Sequence, residues 1–259
     1  MIITSKMDLL VTALINHFLR KNPDLSFIKF KKGKSRARSM MNYATVPHWF
    51  FGYNVLLEML FFAITLLVGA YALKIYQISS QRQSKLFGIS FLMISASYFI
   101  QSVLNFASGY SMAGGCNMQT MSSMHTLNIA GIYAHMLFFT VGLVTLAYMT
   151  LRIKDLKAYF LFVAIAVGTL LASSTKLYFF YIISSILLIY ISFFYLRNYL
   201  QSRKANALIV FIGFLFLLFA KIHFIFSINH GAFYVAGHLL EFVAYALILI
   251  NLISVIRKK

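Results

Sequence analysis

Residues 205–226 read ANALIVFIGFLFLLFAKIHFIF, a run broken by only two ionisable side chains, Lys221 and His223. In a helix it would extend about 33 Å at about 1.5 Å per residue, enough to cross the hydrocarbon core of a bilayer. Six further apolar stretches accompany it, at residues 50–73, 86–107, 127–151, 158–172, 177–196 and 232–256. The stretch 158–172 is the shortest. The expected fold is therefore all-α: a polytopic membrane protein built as a seven-transmembrane-helix bundle over residues 46–259.

Composition agrees with that class. The chain of 259 residues is 61% hydrophobic and 11% charged, against roughly 25% charged residues in a soluble domain. Two prolines suit long uninterrupted helices, and a single cysteine, Cys116, forms no disulfide framework. The net charge of +18 raises the question of nucleic acid, but the positions of the charges answer it. Most basic residues lie beside apolar spans or in the first forty residues, where they meet anionic headgroups and hold helix ends. No basic and aromatic residues interleave for base stacking. The expected partner is the lipid bilayer, and nucleic acid is excluded.

The basic residues also orient the chain. Lys74, Arg82 and Lys85 follow the first stretch, Arg152, Lys154 and Lys157 the third, and Arg197, Arg203 and Lys204 the fifth; the chain ends Arg257, Lys258, Lys259. The three alternate connections carry one basic residue, Lys176. Positive-inside reasoning makes the basic connections and C-terminus cytoplasmic, and places Pro47, His48 and Trp49 outside. The cell membrane is the expected location. Residues 1–45 conflict with this orientation, because nine Lys and Arg residues lie between Lys6 and Arg38. Three arrangements resolve the conflict: an amphipathic interfacial helix over residues 8–19, an eighth sub-length span, or translation from Met40 or Met41. The last needs no new element and is the one expected. The segment lacks the apolar core and small-residue site of a secretory signal.

Ionisable groups inside a bilayer are costly, so each is a functional candidate. Here they are Glu58, His135, Lys221, His223, His238 and Glu241. Counted from the outer ends of their helices, all fall about 8–15 Å deep, one layer in the outer half of the membrane. Tyr234, His238, Glu241 and Tyr245 repeat at i, i+4, i+7 and i+11 and share a helix face. Ser90, Ser97, Gln101, Asn105 and Ser108 form a polar stripe, and Asn54 lies one turn from Glu58. Convergence of these faces predicts an outward-opening cavity lined by Glu58, Gln101, Asn105, His135, Lys221, His238, Glu241 and Tyr245. His135, His238 and Glu241 are the candidate metal ligands. Against these stand plainer roles. Glu58 and Glu241 can serve only to neutralise buried bases, His135 can be a core histidine, and Lys221 can snorkel. His223 points away from Lys221 toward a lipid interface, and His125 and His230 fall in connections.

The segment Gly237-His238-Leu239-Leu240-Glu241-Phe242-Val243-Ala244-Tyr245, with a basic stop at Arg257, resembles the last membrane helix of prokaryotic seven-helix membrane-associated sensor domains. In those families a Gly-His-Leu-x-Lys-type segment leads into a cytoplasmic effector. Here Glu241 replaces the lysine and no effector follows. The resemblance implies perception of an external or membrane-borne signal, with output through a separate cytoplasmic signalling partner. Microbial rhodopsins differ in needing a lysine on the last helix. The membrane zinc hydrolases related to alkaline ceramidase share the layout, but the His-x-x-x-His and Ser-x-x-x-His pairs are missing. The expected function is thus a non-enzymatic sensor or receptor with a ligand-, proton- or metal-responsive cavity. An intramembrane metal-dependent hydrolase and a small transporter are the alternatives. No particular cofactor is implied.

Overall fold

The computed structural model describes residues 51–113, 118–153, 155–227 and 231–257, with side chains at 52–107, 129–153, 155–227 and 231–255. All belong to the second of two compact units, Asn42–Lys259. The translation-start question, His48, Trp49, Cys116 and His230 lie outside the described residues, as do the side chains of Ser108 and His125.

The described residues form seven helices: α1 (Phe51–Ser79), α2 (Arg82–Ala113), α3 (Met118–Leu151), α4 (Leu156–Ala172), α5 (Lys176–Ser202), α6 (Ala205–Ser227) and α7 (Gly231–Arg257). Each coincides with one of the seven apolar stretches and extends beyond most of them by a turn or more. Six are long and apolar enough to cross a membrane; α4, at 17 residues, is the shorter apolar exception. At about 26 Å it falls short of a core about 30 Å thick. The chain is a multi-pass membrane protein.

Sequential neighbours pack as antiparallel pairs, α1 on α2, α2 on α3, α5 on α6 and α6 on α7. Two non-sequential contacts close the circuit: α7 packs on α1, and α3 packs directly on α5. The result is a ring of six helices, with α4 packed against α3 and α5. Leu170 is the buried residue of α4, and the Tyr159 hydroxyl, 3.1 Å from that of Thr145, ties the helix to α3.

Inside the ring, Phe61, Phe91, Ile94, Phe139, Leu188, Phe214 and Ile248 belong to one buried apolar cluster. Between helices that gain nothing from leaving water, contact depends on close approach, which small residues permit. A Cβ on Gly142 would stand 2.9 Å from the Ser90 carbonyl oxygen and 2.7 Å from Ile94 Cγ1. A backbone oxygen cannot rotate away, so α2 and α3 touch there only because position 142 is glycine. Gly69 and Gly88 play reciprocal parts between α1 and α2, each facing the other's carbonyl.

The ends of α1, α3 and α5 that meet the basic connections share one device. Ser80, Arg152 and Arg203 adopt φ of 52°, 56° and 54°, the left-handed conformation that closes a helix. Ser80 and Arg203 donate their backbone N–H groups to Tyr76 and Tyr199 at 2.7 Å. The cations beside these ends also suit the negative pole of each helix.

Candidate functional site: a polar cavity within the ring

Asn54 and Glu58 stand one turn apart on α1, and the Asn54 Nδ2 donates to Glu58 Oε1 at 2.9 Å. From α2, Asn105 Nδ2 donates to both Glu58 oxygens, at 2.9 and 2.8 Å. From α7, the Tyr234 hydroxyl donates to Asn54 Oδ1 at 2.9 Å. Three helices are thus joined by a chain of bonds that ends on one buried carboxylate.

A second carboxylate has a different partner. Lys221 Nζ of α6 lies 2.5 Å from Glu241 Oε1 of α7, with both side chains almost fully buried. His238 Nδ1, three residues before Glu241, lies 3.6 Å from the other carboxylate oxygen. The Lys221 ammonium also faces aromatic rings, 4.1 Å from the centroid of Phe139, 5.3 Å from Phe224 and 5.8 Å from Phe180. Cation–π attraction of this kind is strongest where water is excluded. His135 of α3 lies among Tyr98, Phe139 and Phe180, with ring centroids 5.4–5.9 Å away. Its Nδ1 is buried and has no hydrogen-bond partner among the described residues.

These groups share a cavity of about 210 Å³, lined from α1, α2, α3, α5, α6 and α7. Pockets for drug-sized ligands run about 300–1,000 Å³, so this one suits a smaller molecule or several waters. Seven of the eight expected residues line it: Glu58, Gln101, Asn105, His135, Lys221, His238 and Glu241. Tyr245 does not. It lies one turn deeper than Glu241, fully buried, with its hydroxyl 3.1 Å from that of Tyr98. Sharing a helix face with Glu241 brought Tyr245 into the ring but below the cavity, where the nearest phenol completes its hydrogen bonding.

Other expectations divide similarly. Lys221 does not snorkel, because Glu241 holds it inside. His223 stays off the cavity and hydrogen-bonds the Phe219 carbonyl at 2.8 Å. In the α2 stripe, Gln101 and Asn105 reach the cavity, whereas Ser90 and Ser97 donate to carbonyls of their own helix, Phe87 and Ile94. The metal set needs correction. Among the described residues no three His, Cys, Asp or Glu side chains are grouped to hold an ion. His135 is enclosed by rings and Lys221 occupies an oxygen of Glu241, so His135, His238 and Glu241 do not form a ligand set.

The cavity's aromatic walls, Tyr98, Phe180, Tyr181, Phe224 and Tyr234, and the amide of Asn54 lie outside the expected lining set. Asn54 and Tyr234 nonetheless stand on the helix faces expected to converge, each at helical spacing with a buried carboxylate on its own helix. Compared with protein-family models, with curated proteins and with solved structures, the chain gives no match.

Proposed function

We propose that the protein is a non-enzymatic membrane sensor or receptor, whose cavity responds to a small ligand or to protonation. The supporting observation is the convergence on one cavity of Glu58, His135, Lys221, His238 and Glu241, drawn from four helices. Ionisable groups are retained inside a membrane at a cost of several kcal/mol, and a seven-helix scaffold has no need of so many in one place. The mechanism is a shift between two helix packings. Protonation or ligation at the cavity alters which of the α1–α7 and α6–α7 contacts is electrostatically favoured, and the helix ends move with them. Output passes through a separate cytoplasmic signalling partner, which takes the role that the effector following the last helix plays in the sensor domains that α7 resembles.

Histidine changes charge nearest neutral pH, so pH is the simplest probe. Spin labels at Lys74 and Arg203, in protein carrying Cys116→Ser, are expected to change separation between about pH 5 and about pH 8. Glu241→Gln, which removes the anion shared by Lys221 and His238, is expected to abolish that change. A response like that of the wild type in Glu241→Gln would remove the pair from the mechanism.

The proposed orientation has the cavity open to the outside and the basic connections in the cytoplasm of a cell membrane. Cys116, the one cysteine of the chain, lies between α2 and α3 on the side proposed to be outer. A membrane-impermeant maleimide is expected to label it on intact cells. Labelling only after lysis would invert the topology.

One observation favours a transporter as the second reading. A cavity of about 230 Å³ lies at the opposite end of the ring, lined by residues including Gln83, Ser84, Arg152 and Asn198. On α2 and α7 it lies about 16 Å from the first cavity, beyond the Tyr98–Tyr245 pair.

A further inference from the structure

Charge is unevenly balanced within the cavity. The Lys221 ammonium pairs with Glu241 and not with Glu58. Glu58 is held instead by neutral amides: Asn54 and Asn105 donate three hydrogen bonds to it, and Gln101 adds its amide beside them. With neutral histidines, the cavity holds two carboxylates and one ammonium. A carboxylate in a low-dielectric site is stable when a cation accompanies it, and amide donors orient it without supplying that charge. Glu58 Oε1 accepts two of these bonds and Oε2 one. The same residue lines the open volume.

The rest of the lining indicates the kind of cation. Apolar side chains, Ile132, Met136 and Leu177, and the rings of Phe180, Tyr181 and Phe224 make up much of the wall. Such a surface suits an alkyl chain and is a poor substitute for the hydration shell of a bare metal ion. The cavity already receives one alkylammonium of this type. The Lys221 head rests between a carboxylate at 2.5 Å and the face of Phe139 at 4.1 Å.

We infer that the cavity binds a small protonated amine, its ammonium on Glu58 and its alkyl chain against the aromatic wall. This inference rests on the reading of the cavity as a ligand site and names the ligand's chemical class. No bond is made or broken on binding.

The test uses the full chain in lipid nanodiscs with n-butylammonium chloride as probe. A saturable rise in Tm is expected from butylammonium and not from potassium chloride at equal ionic strength, n-butanol or butyrate. In Glu58→Gln the apparent Kd is expected to weaken at least about tenfold, the loss of about 1.4 kcal/mol of binding energy. An equal rise from potassium chloride or butanol, or none from butylammonium, overturns the inference in the wild-type protein alone. Undiminished binding to folded Glu58→Gln also overturns it. The spin-label response to pH separates the two claims: if it persists while butylammonium has no effect, the amine falls and the sensor reading stands.

Discussion

Lys221→Met is expected to destabilise the folded protein by about 3–5 kcal/mol, because it leaves the Glu241 carboxylate buried without its ammonium. The methionine keeps most of the apolar stem of lysine and lacks the Nζ that faces Phe139 and Phe224. What disappears is the charge 2.5 Å from Glu241 Oε1. Glu241 has too short a side chain to reach a headgroup, and its exposure is 1%. His238, 3.6 Å from the second oxygen, is too distant to replace a direct bond. The double variant Lys221→Met/Glu241→Met is expected to recover at least half of the loss, since matched apolar groups replace a buried pair at little cost. Denaturant titration of the wild type, Lys221→Met, Glu241→Met and the double variant in mixed micelles gives the coupling energy directly. A Lys221→Met protein as stable as the wild type would mean that the pair contributes nothing to holding α6 on α7.

The same pair shows what is legible in a membrane sequence. Hydropathy located all seven helices because bilayer thickness sets a minimum length that few other structures require. It also singled out α4 as short, and α4 is the helix that contributes no residue to the cavity. Ionisable residues were legible for a related reason: their cost in lipid drives them into a shared interior, so Glu58, His135, Lys221, His238 and Glu241 could be grouped by depth, with His223 at the same depth set apart by its helix face. The order of helices around the ring was not legible. Nothing in the apolar periodicity of α3 or α5 states that they touch each other past α4. The aromatic walls were hidden for a similar reason. Among 27 phenylalanines, Phe180 and Phe224 face the cavity while Phe193 and Phe226 are exposed on the outside of the bundle. A phenylalanine is equally at home in lipid and in a protein interior. Its type therefore carries no information about direction, whereas a carboxylate's does. Tyr245 marks the limit of helical-face reasoning, which fixes azimuth but leaves depth in the ring open by a full turn.

Phe139→Ala is expected to cost about 3 kcal/mol, and Phe139→Leu about 1–2 kcal/mol. The side chain is 1% exposed and touches three rings, with centroids 5.6 Å from His135, 5.6 Å from Phe180 and 6.0 Å from Tyr98. Truncating a buried phenylalanine in a soluble protein costs about 3–5 kcal/mol, part of it the transfer of apolar surface from water. Separated membrane helices keep that surface in lipid, so the cavity and packing terms remain and the lower end applies. Leucine restores much of the volume but not the ring's negative face, which the Lys221 ammonium meets at 4.1 Å. That loss alone is worth about 1–2 kcal/mol in a desolvated site. The two contributions separate in the Lys221→Met/Glu241→Met background, where no ammonium faces position 139. There Phe139→Ala should remain costly, while Phe139→Leu should fall within about 0.5 kcal/mol of its parent. Equal costs for Phe139→Leu in both backgrounds would assign Phe139 to packing alone and leave the Lys221 charge held by Glu241 without help from the rings.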